Sequence, residues 1–152
     1  MQRLPIFRPA TSADANAVSE VYLTSWKELV PFAPLVHADK TVRRWIRDHL
    51  IPAGRVTVAI QHVKVVGMMA LSDDGTVGWV EQLYVHPRVV GCGIGTQLLE
   101  RAKIELGSPI RLYTFQANTG ARRFYERHGF RAIAVGDGSG NEEQCPDVLY
   151  EW

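Results

Sequence analysis

Apolar residues in the first third of the chain recur at the three- and four-residue spacing of amphipathic helices. One helix is predicted to begin after Thr11 or Ser12, and a second to span roughly Asp39 to Leu50. Pro31 and Pro34 predict a loop between them, because proline does not fit a helix interior. The apolar stripes are Val18, Val21, Tyr22, Trp26 and Leu29 in the first helix and Val42, Trp45, Ile46 and Leu50 in the second.

Shorter runs rich in β-branched and aromatic residues predict strands. Asp73, Asp74 and Gly75 are typical of a hairpin turn between two of them. Two further helices are predicted, at Ile94 to Leu106 and between Asn118 and Gly129. The predicted strands lie near Leu4 to Arg8, Val56 to Ile60, Val65 to Leu71, Val77 to Val85, Ile110 to Phe115 and Asp147 to Trp152, with one more after Phe130.

The resulting order, β-α-α-β-β-β-α-β-α-β-β, predicts an α/β (α+β) fold in a single domain over residues 1–152. The stretch from Gly136 to Pro146 is the one long polar loop late in the chain. No internal repeat or low-complexity run interrupts this pattern.

Composition narrows the class of protein. With 152 residues, 46% hydrophobic residues and a formal net charge of +1, the chain is expected to be a soluble, cytoplasmic domain with no nucleic-acid partner and no membrane association. Met1 to Pro9 lacks the charged and apolar regions of a signal peptide. Cys92 and Cys145 are expected to be free thiols, and neither has the neighbours that a metal site needs, so no metal is expected.

A glycine-rich segment, Arg88 to Thr96, lies where a predicted strand ends and a helix begins. Gly91, Gly93 and Gly95 alternate there, so backbone N–H groups can approach an anion together with the first turn of the helix. The predicted ligand is a phosphate or pyrophosphate. Thr96 and Gln97 after the last glycine exclude a Walker loop, and the next strand lacks the acid that a nicotinamide dinucleotide fold requires.

A second motif, Asn118 to Phe130, contains a helix cap, a short helix and a glycine stop. Asn118 and Tyr125 are two helical turns apart, so they lie on one face with Arg122 between them. Together, Arg88-x-x-Gly91-x-Gly93 and Asn-x-x-Ala-x-x-Phe-Tyr-Glu-x-x-Gly-Phe resemble the motifs of the GNAT superfamily of acyl-CoA-dependent N-acetyltransferases. The Phe7-Arg8-Pro9-Ala10 opening extends the resemblance over nearly the whole chain.

The resemblance implies a mixed, mostly antiparallel sheet flanked by helices and splayed where acyl-CoA binds. Acetyl-CoA would be the acyl donor, with its pantetheine arm paired to main-chain groups of Leu83 and Val85. One departure is Val90, where similar chains carry a basic residue, so phosphate binding falls more heavily on backbone donors. The implied cofactor-binding residues are Leu83, Val85, Arg88, Val90, Gly91, Cys92, Gly93, Ile94, Gly95, Thr96, Asn118 and Arg122.

Amide formation needs a base, because an amine is mostly protonated at neutral pH, and an acid for the departing thiolate. By position in the matching motif, Tyr125 is the predicted acid. Glu81 is the predicted base or ammonium ligand, since strand alternation places it on the face of Leu83 and Val85. His86 and His128 are expected to have solvated or capping roles.

The acceptor is predicted to be a small-molecule primary amine, acetylated by direct attack in a ternary complex. The aromatic residues Trp26, Phe32 and Trp45 and the acids Glu142, Glu143 and Asp147 are the candidates for its pocket. A protein or peptide acceptor and a noncatalytic acyl-CoA-binding regulatory module remain alternatives. So does a dimerisation domain with Asp147 to Trp152 as an edge strand, and a homodimer is compatible with catalysis.

Overall fold

The structure of the protein is a computed structural model that describes residues 4–152. The predicted domain boundary at residue 1 therefore lies outside the described residues. Seven strands form one sheet, and their order along the chain alternates with the helices as predicted. The strands are β1 (Ile6–Pro9), β2 (Val56–Gln61), β3 (Lys64–Asp73), β4 (Gly78–Val85), β5 (Ile110–Phe115), β6 (Arg131–Gly136) and β7 (Asp147–Glu151).

Four α-helices accompany the sheet: α1 (Ala15–Leu29), α2 (Asp39–Trp45), α3 (Ile94–Leu106) and α4 (Thr119–Arg127). A π-helical segment, Ile46–Leu50, continues α2, so the predicted second helix is confirmed as a continuous but irregular element. Of the predicted α1 stripe, Leu29 alone is exposed. Within residues 4–152, none of the helices has the length and apolar character needed to cross a membrane.

The strand order is β1-β2-β3-β4-β5-β7-β6, and every neighbouring pair is antiparallel except the parallel pair β4 and β5. The predicted mixed, mostly antiparallel sheet is therefore confirmed. β7 hydrogen-bonds to both β5 and β6, so the expectation that Asp147 to Trp152 forms an edge strand is wrong. The long loop after β6 carries the chain back between two strands, which the sequence pattern alone does not reveal.

The two faces of the sheet are covered by different helices, and each forms its own apolar core. On one face α1 packs over β3 and β4, with α2 beside it, and Val18, Ile46 and Met68 are fully buried in this core. On the other face α3 packs over β2, β3 and β4, and Leu98, Ile110 and Tyr150 are fully buried in this core. This two-sided burial fixes β4 and β5 at the centre of the molecule.

The central pair of strands separates. β4 and β5 pair only at Gly78 with Ile110 and at Trp79 with Arg111, after which no ladder joins them. Backbone groups on the facing edges beyond Trp79 therefore lack a strand partner, and a cleft opens in the middle of the sheet. The splay predicted from the resemblance is present, and it positions every part of the site described next.

Candidate active site

The glycine-rich segment begins with a 3-10 turn, Pro87–Val89, that is held by His86. The Nδ1 atom of His86 accepts a hydrogen bond from the N–H of Arg88 at 3.2 Å, so His86 has the predicted capping role. Gly91 and Gly93 follow with φ of +85° and +86°, values that side chains with a Cβ rarely adopt. A Cβ placed on either glycine would contact nothing within 4 Å, so the protein itself leaves the space over the loop open.

Several backbone N–H groups lie close together where this segment enters α3. The N–H of Cys92 bonds Val89 O and the N–H of Gln97 bonds Gly93 O. Between them, the N–H groups of residues 93–96 have no hydrogen-bond partner within residues 4–152. These are the unpaired donors of a helix N-terminus, where the helix dipole also favours an anion.

Side chains around the loop add positive charge and no negative charge. Arg88 is exposed, and its guanidinium forms no ion pair with any residue of the described chain. Val90 is 53% exposed at the position where a basic residue was expected. Cys92 is a free, exposed thiol, and Thr96 Oγ1 lies 3.2 Å from Nε2 of His128. Nothing in the segment opposes an anionic ligand.

A narrow cleft of about 120 Å³ lies between β4 and β5 where the sheet splays. Asn118 and Tyr125 of the second motif both line it, as their shared helix face predicted. Asn118 also caps α4, since its Oδ1 accepts the N–H of Ala121 at 3.2 Å. Arg122 does not line the cleft. Its Nε donates to Tyr150 Oη at 3.1 Å and its Nη1 to Gln116 O at 3.3 Å.

Tyr125 is 9% exposed, and no residue of the described chain forms a hydrogen bond with its hydroxyl. Burial raises the pKa of Tyr125 well above its ordinary value, so the phenol is protonated at neutral pH. Phe124 and Phe130 pack edge-on against its ring. The ring is thus held by packing, while the hydroxyl is free to donate a hydrogen bond into the cleft.

The edge of β4 offers main-chain groups to the same cleft. His86 N donates to Val66 O at 2.8 Å, and antiparallel alternation then directs the N–H and C=O groups of Leu83 and Val85 away from β3. Ser25, fully buried in α1, donates a hydrogen bond from its hydroxyl to Val85 O at 3.0 Å. This contact involves the carbonyl of Val85 and not its N–H. Main-chain groups at both predicted positions therefore face the splay.

Glu81 lies at a β-bulge. Ala70 pairs with Gln82 and Leu71 pairs with Val80, so Glu81 has no partner on β3. The bulge interrupts the alternation, and the expectation that Glu81 shares the face of Leu83 and Val85 is therefore wrong.

Glu81 lies instead on the α1 face, where Oε1 accepts the hydroxyl of Ser72 at 2.6 Å. Leu71 packs in the opposite core, so alternation places its neighbour Ser72 on this side. Glu81 lines both the narrow cleft and the larger groove beside it. The bulge directs the Glu81 carboxylate toward the mouth of the cleft. Simple strand alternation in the sequence does not predict this orientation.

A larger groove, hereafter the acidic groove, continues from the cleft across the α1 face of β5, β7 and β6 and has a volume of about 660 Å³. Of the predicted pocket residues, Trp26, Glu143 and Asp147 line it. Phe32, Trp45 and Glu142 do not. Phe32 packs edge-on against Phe115, Trp45 packs against Tyr22, and Glu142 lies 2.9 Å from His37.

Sequence reasoning missed several residues of the groove. Tyr84 and Phe115 form its aromatic wall with Trp26, at ring-centroid distances of 6.5 and 6.0 Å from Trp26. Asp137, at the end of β6, adds a carboxylate. Only the position of β6 beyond β7 brings Asp137 here, and no local pattern predicts that arrangement. The polar composition of the Gly136 to Pro146 loop was the one available signal.

A protein-family model described as the acetyltransferase (GNAT) family matches residues 18–130, about three quarters of the chain. The chain belongs to this family. The match includes both motifs, the splayed strands and the Tyr125 helix. It establishes the protein as a GNAT acetyltransferase, which confirms the resemblance of the two motifs. No curated protein sequence matches the chain at a significant level.

Solved structures share the GNAT fold over nearly the full length. YjaB from Escherichia coli is 20% identical with a TM-score of 0.79, covering 99% of this chain and 98% of its own. PaiA N-acetyltransferase from Thermoplasma acidophilum, in complex with coenzyme A, is 20% identical with a TM-score of 0.74 and 98% coverage of both chains. Naa50 from Arabidopsis thaliana, with the bisubstrate analogue CoA-Ac-MVNAL, is 19% identical with a TM-score of 0.70 and 97% coverage of both.

Proposed function

We propose that this GNAT protein transfers the acetyl group of acetyl-CoA directly to a primary amine in a ternary complex. The observation that carries the proposal is the continuity of the site. The unpaired N–H groups belong to residues 93–96, and a Cβ on Gly95 would lie 3.7 Å from the side chain of Val85 at the end of β4. β4 lines the cleft with Tyr125, and that cleft shares lining residues with the acidic groove. A thioester donor and an amine acceptor can thus meet near the Tyr125 hydroxyl.

Acetyl-CoA is supported as the donor by the two ends of the cleft. The pyrophosphate would accept hydrogen bonds from the N–H groups at Gly93 to Thr96 and would form an ion pair with Arg88. The pantetheine amides would pair with the outward-facing main-chain groups of Leu83 and Val85, as an added strand would. Asn118 lines this path. Arg122 remains a predicted contact of acetyl-CoA, and its hydrogen bonds to Tyr150 and to Gln116 O hold it near α4.

The chemistry assigns separate roles to Glu81 and Tyr125. The neutral amine nitrogen attacks the thioester carbonyl carbon, forming the C–N bond and an oxyanion that the Val85 N–H can stabilise. Collapse breaks the C–S bond, and the CoA thiolate takes the proton of Tyr125. The amide nitrogen then loses its extra proton, which restores the Tyr125 phenol. Glu81, at the mouth of the cleft, accepts the ammonium proton through water.

A small-molecule acceptor is supported by the volume and lining of the acidic groove. About 660 Å³ lies within the range of small-ligand sites, roughly 300 to 1,000 Å³. A peptide N-terminus is the second candidate, because the groove opens along a sheet face on which Tyr113 is 61% exposed.

The proposed function is tested by a screen for release of CoA thiol from acetyl-CoA. Amines, polyamines, amino acids, aminoglycosides and peptides are supplied as acceptors, and mass spectrometry identifies the acetylated product. We expect amine-dependent thiol release with one acetyl group added per CoA. Tight acetyl-CoA binding without acetylation of any acceptor would instead support a regulatory acyl-CoA-binding module.

A further inference from the structure

Four carboxylates line the acidic groove, whereas no Lys, Arg or His of residues 4–152 does so. None of the four lies within salt-bridge distance of a basic side chain in the described chain. The groove thus carries a concentrated negative charge with no internal counter-charge. The carboxylates belong to Glu81, Asp137, Glu143 and Asp147.

Acids elsewhere on the protein are mostly paired. Nine of the sixteen Asp and Glu residues lie within salt-bridge distance of a basic side chain among the described residues, and none of these nine lines the groove. Unpaired charge is therefore a feature of the groove more than of the surface as a whole. A cationic ligand would supply the missing counter-charges.

The groove carboxylates are held in place rather than neutralised. Asp147 Oδ2 accepts the amide of Asn141 at 3.2 Å, and Asp137 Oδ1 accepts the N–H of Ser139 at 2.9 Å. Hydrogen bonds from Ser139 lower the pKa of Asp137, so it is ionised at neutral pH. The Glu143 carboxylate has no hydrogen-bond partner in the described chain, and its charge is free to meet a ligand.

An independent observation marks this region as a ligand site. The Tyr125 hydroxyl is unpartnered within residues 4–152, and its side chain is about nine-tenths buried in a cleft that shares seven lining residues with the acidic groove. The shared wall includes the aromatic rings of Trp26, Tyr84 and Phe115, whose faces attract cations. The negative charge is therefore continuous with the place where acetyl transfer is proposed.

Strand spacing sets the distance between the two ends of the groove. Glu81 lies on β4 and Asp147 on β7, with β5 between them. Two ordinary strand spacings of about 4.8 Å amount to roughly 10 Å, and the splay of β4 from β5 makes the separation larger than this. Asp147 pairs directly with Phe115, just beyond the aromatic wall. Asp137 and Glu143 line the same far end.

We infer that the acceptor is a linear aliphatic di- or polyamine, with its second ammonium group bound by Asp147, Asp137 and Glu143, more than about 10 Å from the acetylated nitrogen. This inference rests on the proposed function and specifies its substrate class. A monoamine would reach Glu81 and leave the far carboxylates without a counter-charge. A longer diamine satisfies both ends.

The floor of the groove favours an aliphatic polyamine over a peptide. β5 and β7 are inner strands, and β7 is hydrogen-bonded on both sides, so its main-chain groups cannot pair with a peptide backbone. Recognition on the β7 part of the floor must come from side chains, and the charged side chains that line the groove are all acidic. A chain of methylene groups carrying ammonium groups has no peptide groups, so it needs no hydrogen bonds from the main chain of the floor.

The test compares matched acceptors at saturating acetyl-CoA. 1,8-Diaminooctane, 8-amino-1-octanol, 1-aminooctane and a basic tripeptide are assayed by thiol release, and kcat/KM is measured for each. We expect kcat/KM for the diamine to exceed that of the amino alcohol by about tenfold, an effect that added salt reduces. The amino alcohol controls for length and polarity, because it lacks only the second charge.

Variants then assign this preference to the far carboxylates. In a Glu143→Gln, Asp137→Asn double variant, the ratio of kcat/KM for diamine to amino alcohol should fall to about 2 or less. Glu28→Gln is the matched control. Glu28 is an exposed acid outside the groove and is unpaired among the described residues, so its variant should keep the wild-type ratio.

The outcomes separate the inference from the proposed function. Equal kcat/KM for diamine and amino alcohol, or a ratio that the double variant leaves unchanged, would overturn the polyamine assignment while acetyl transfer stands. A clear preference for the tripeptide would overturn it in favour of a peptide acceptor. Failure to acetylate any amine would overturn the proposed function as well.

Discussion

At the scale of single residues, a comparison of Gly93 with Gly75 distinguishes the conformational role of a glycine from a role beside a ligand. Its φ is +86°, and a Cβ built on it meets nothing within 4 Å. Gly75, in the β3–β4 hairpin, has a φ of +89° and equally open surroundings. The two glycines therefore impose similar backbone strain on a substituent, and only Gly93 adjoins the proposed phosphate site.

Gly93→Val should weaken acetyl-CoA binding by about tenfold or more, because its side chain occupies the space that a pyrophosphate would approach. Isothermal titration calorimetry measures the affinity, and thermal unfolding measures the stability. Gly75→Val should lose similar stability but keep the wild-type affinity. Unchanged affinity in folded Gly93→Val would contradict the phosphate assignment.

Tyr125 has a buried ring, and its hydroxyl has no structural hydrogen bond within the described residues. Its hydroxyl has no hydrogen-bond partner among residues 4–152, so Tyr125→Phe should not lower the free energy of unfolding. If Tyr125 protonates the thiolate, kcat should fall by about 10²-fold while the acetyl-CoA affinity stays near wild type. Steady-state kinetics and calorimetry measure the two effects.

Tyr22→Phe is the control for this variant. Tyr22 is also 9% exposed and without a hydrogen-bond partner in the described chain, but it lines neither the cleft nor the groove. Its burial, with the charges of Glu143 and Glu142, raises its pKa to about 12. Turnover by Tyr22→Phe should match wild type. Wild-type turnover by Tyr125→Phe, with chemistry limiting the rate, would remove Tyr125 from the mechanism.

At the scale of elements, the entry into α1 depends on one partly buried ion pair. Asp14 accepts two hydrogen bonds from Arg8, at 2.7 and 2.9 Å, and one from the N–H of Thr11 at 2.7 Å. These contacts join β1 to the turn that precedes α1. The hydrogen bonds from Arg8 are the main reason that the pKa of Asp14 falls to about 2.

Asp14→Asn should lower the free energy of unfolding at pH 7 by about 1 to 2 kcal/mol. Because the folded-state pKa lies below the unfolded one, the carboxylate stabilises the protein above about pH 4 and loses this effect as the pH falls through about 2. The difference between variant and wild type should therefore shrink over that interval in denaturant unfolding. A constant difference from pH 7 to pH 2 would contradict the ion-pair account.

Asp48→Asn gives the contrast for this prediction. Asp48 contacts Arg47 at 2.7 Å, but both side chains are exposed and adjacent in sequence. Solvent screens such a pair, so its removal should change the unfolding transition little.

The elements themselves followed from sequence to different degrees. Helical spacing and glycine stops located α1, α3 and α4, because burial on one face leaves a periodic apolar pattern. The bulge at Glu81 was not predictable, since one extra residue in β4 leaves the pattern of residue types unchanged while it reverses a side chain. The same limit applied to β7, whose inner position depends on where the preceding loop returns the chain.

At the scale of the whole molecule, the site is the product of one topological feature. The parallel pair β4 and β5 separates after two residue pairs, and the glycine-rich segment, the Tyr125 helix and the acidic groove all adjoin that gap. The donor half was readable from sequence because its residues lie in two contiguous motifs. The acceptor half was readable only in part, because its residues come from α1, from four strands and from the loop after β6, which lie far apart in sequence.

This arrangement implies direct transfer, because neither cysteine is positioned as a nucleophile. Cys92 is exposed on the glycine-rich segment. Cys145 Sγ lies 3.4 Å from the backbone oxygen of Glu143 and 3.9 Å from that of Phe32. Neither thiol lines the cleft beside Tyr125. The acetyl group should thus pass from sulfur to nitrogen without an acetyl-cysteine intermediate.

Two-substrate initial-rate kinetics on wild type and on a Cys92→Ala, Cys145→Ala double variant distinguish direct transfer from a route through an acetyl-cysteine. Acetyl-CoA and an amine identified by the thiol-release screen are varied together. The account predicts intersecting double-reciprocal plots for both proteins and retention of most activity by the variant. Parallel plots, loss of activity in the variant and an acetylated cysteine detected by mass spectrometry would contradict it.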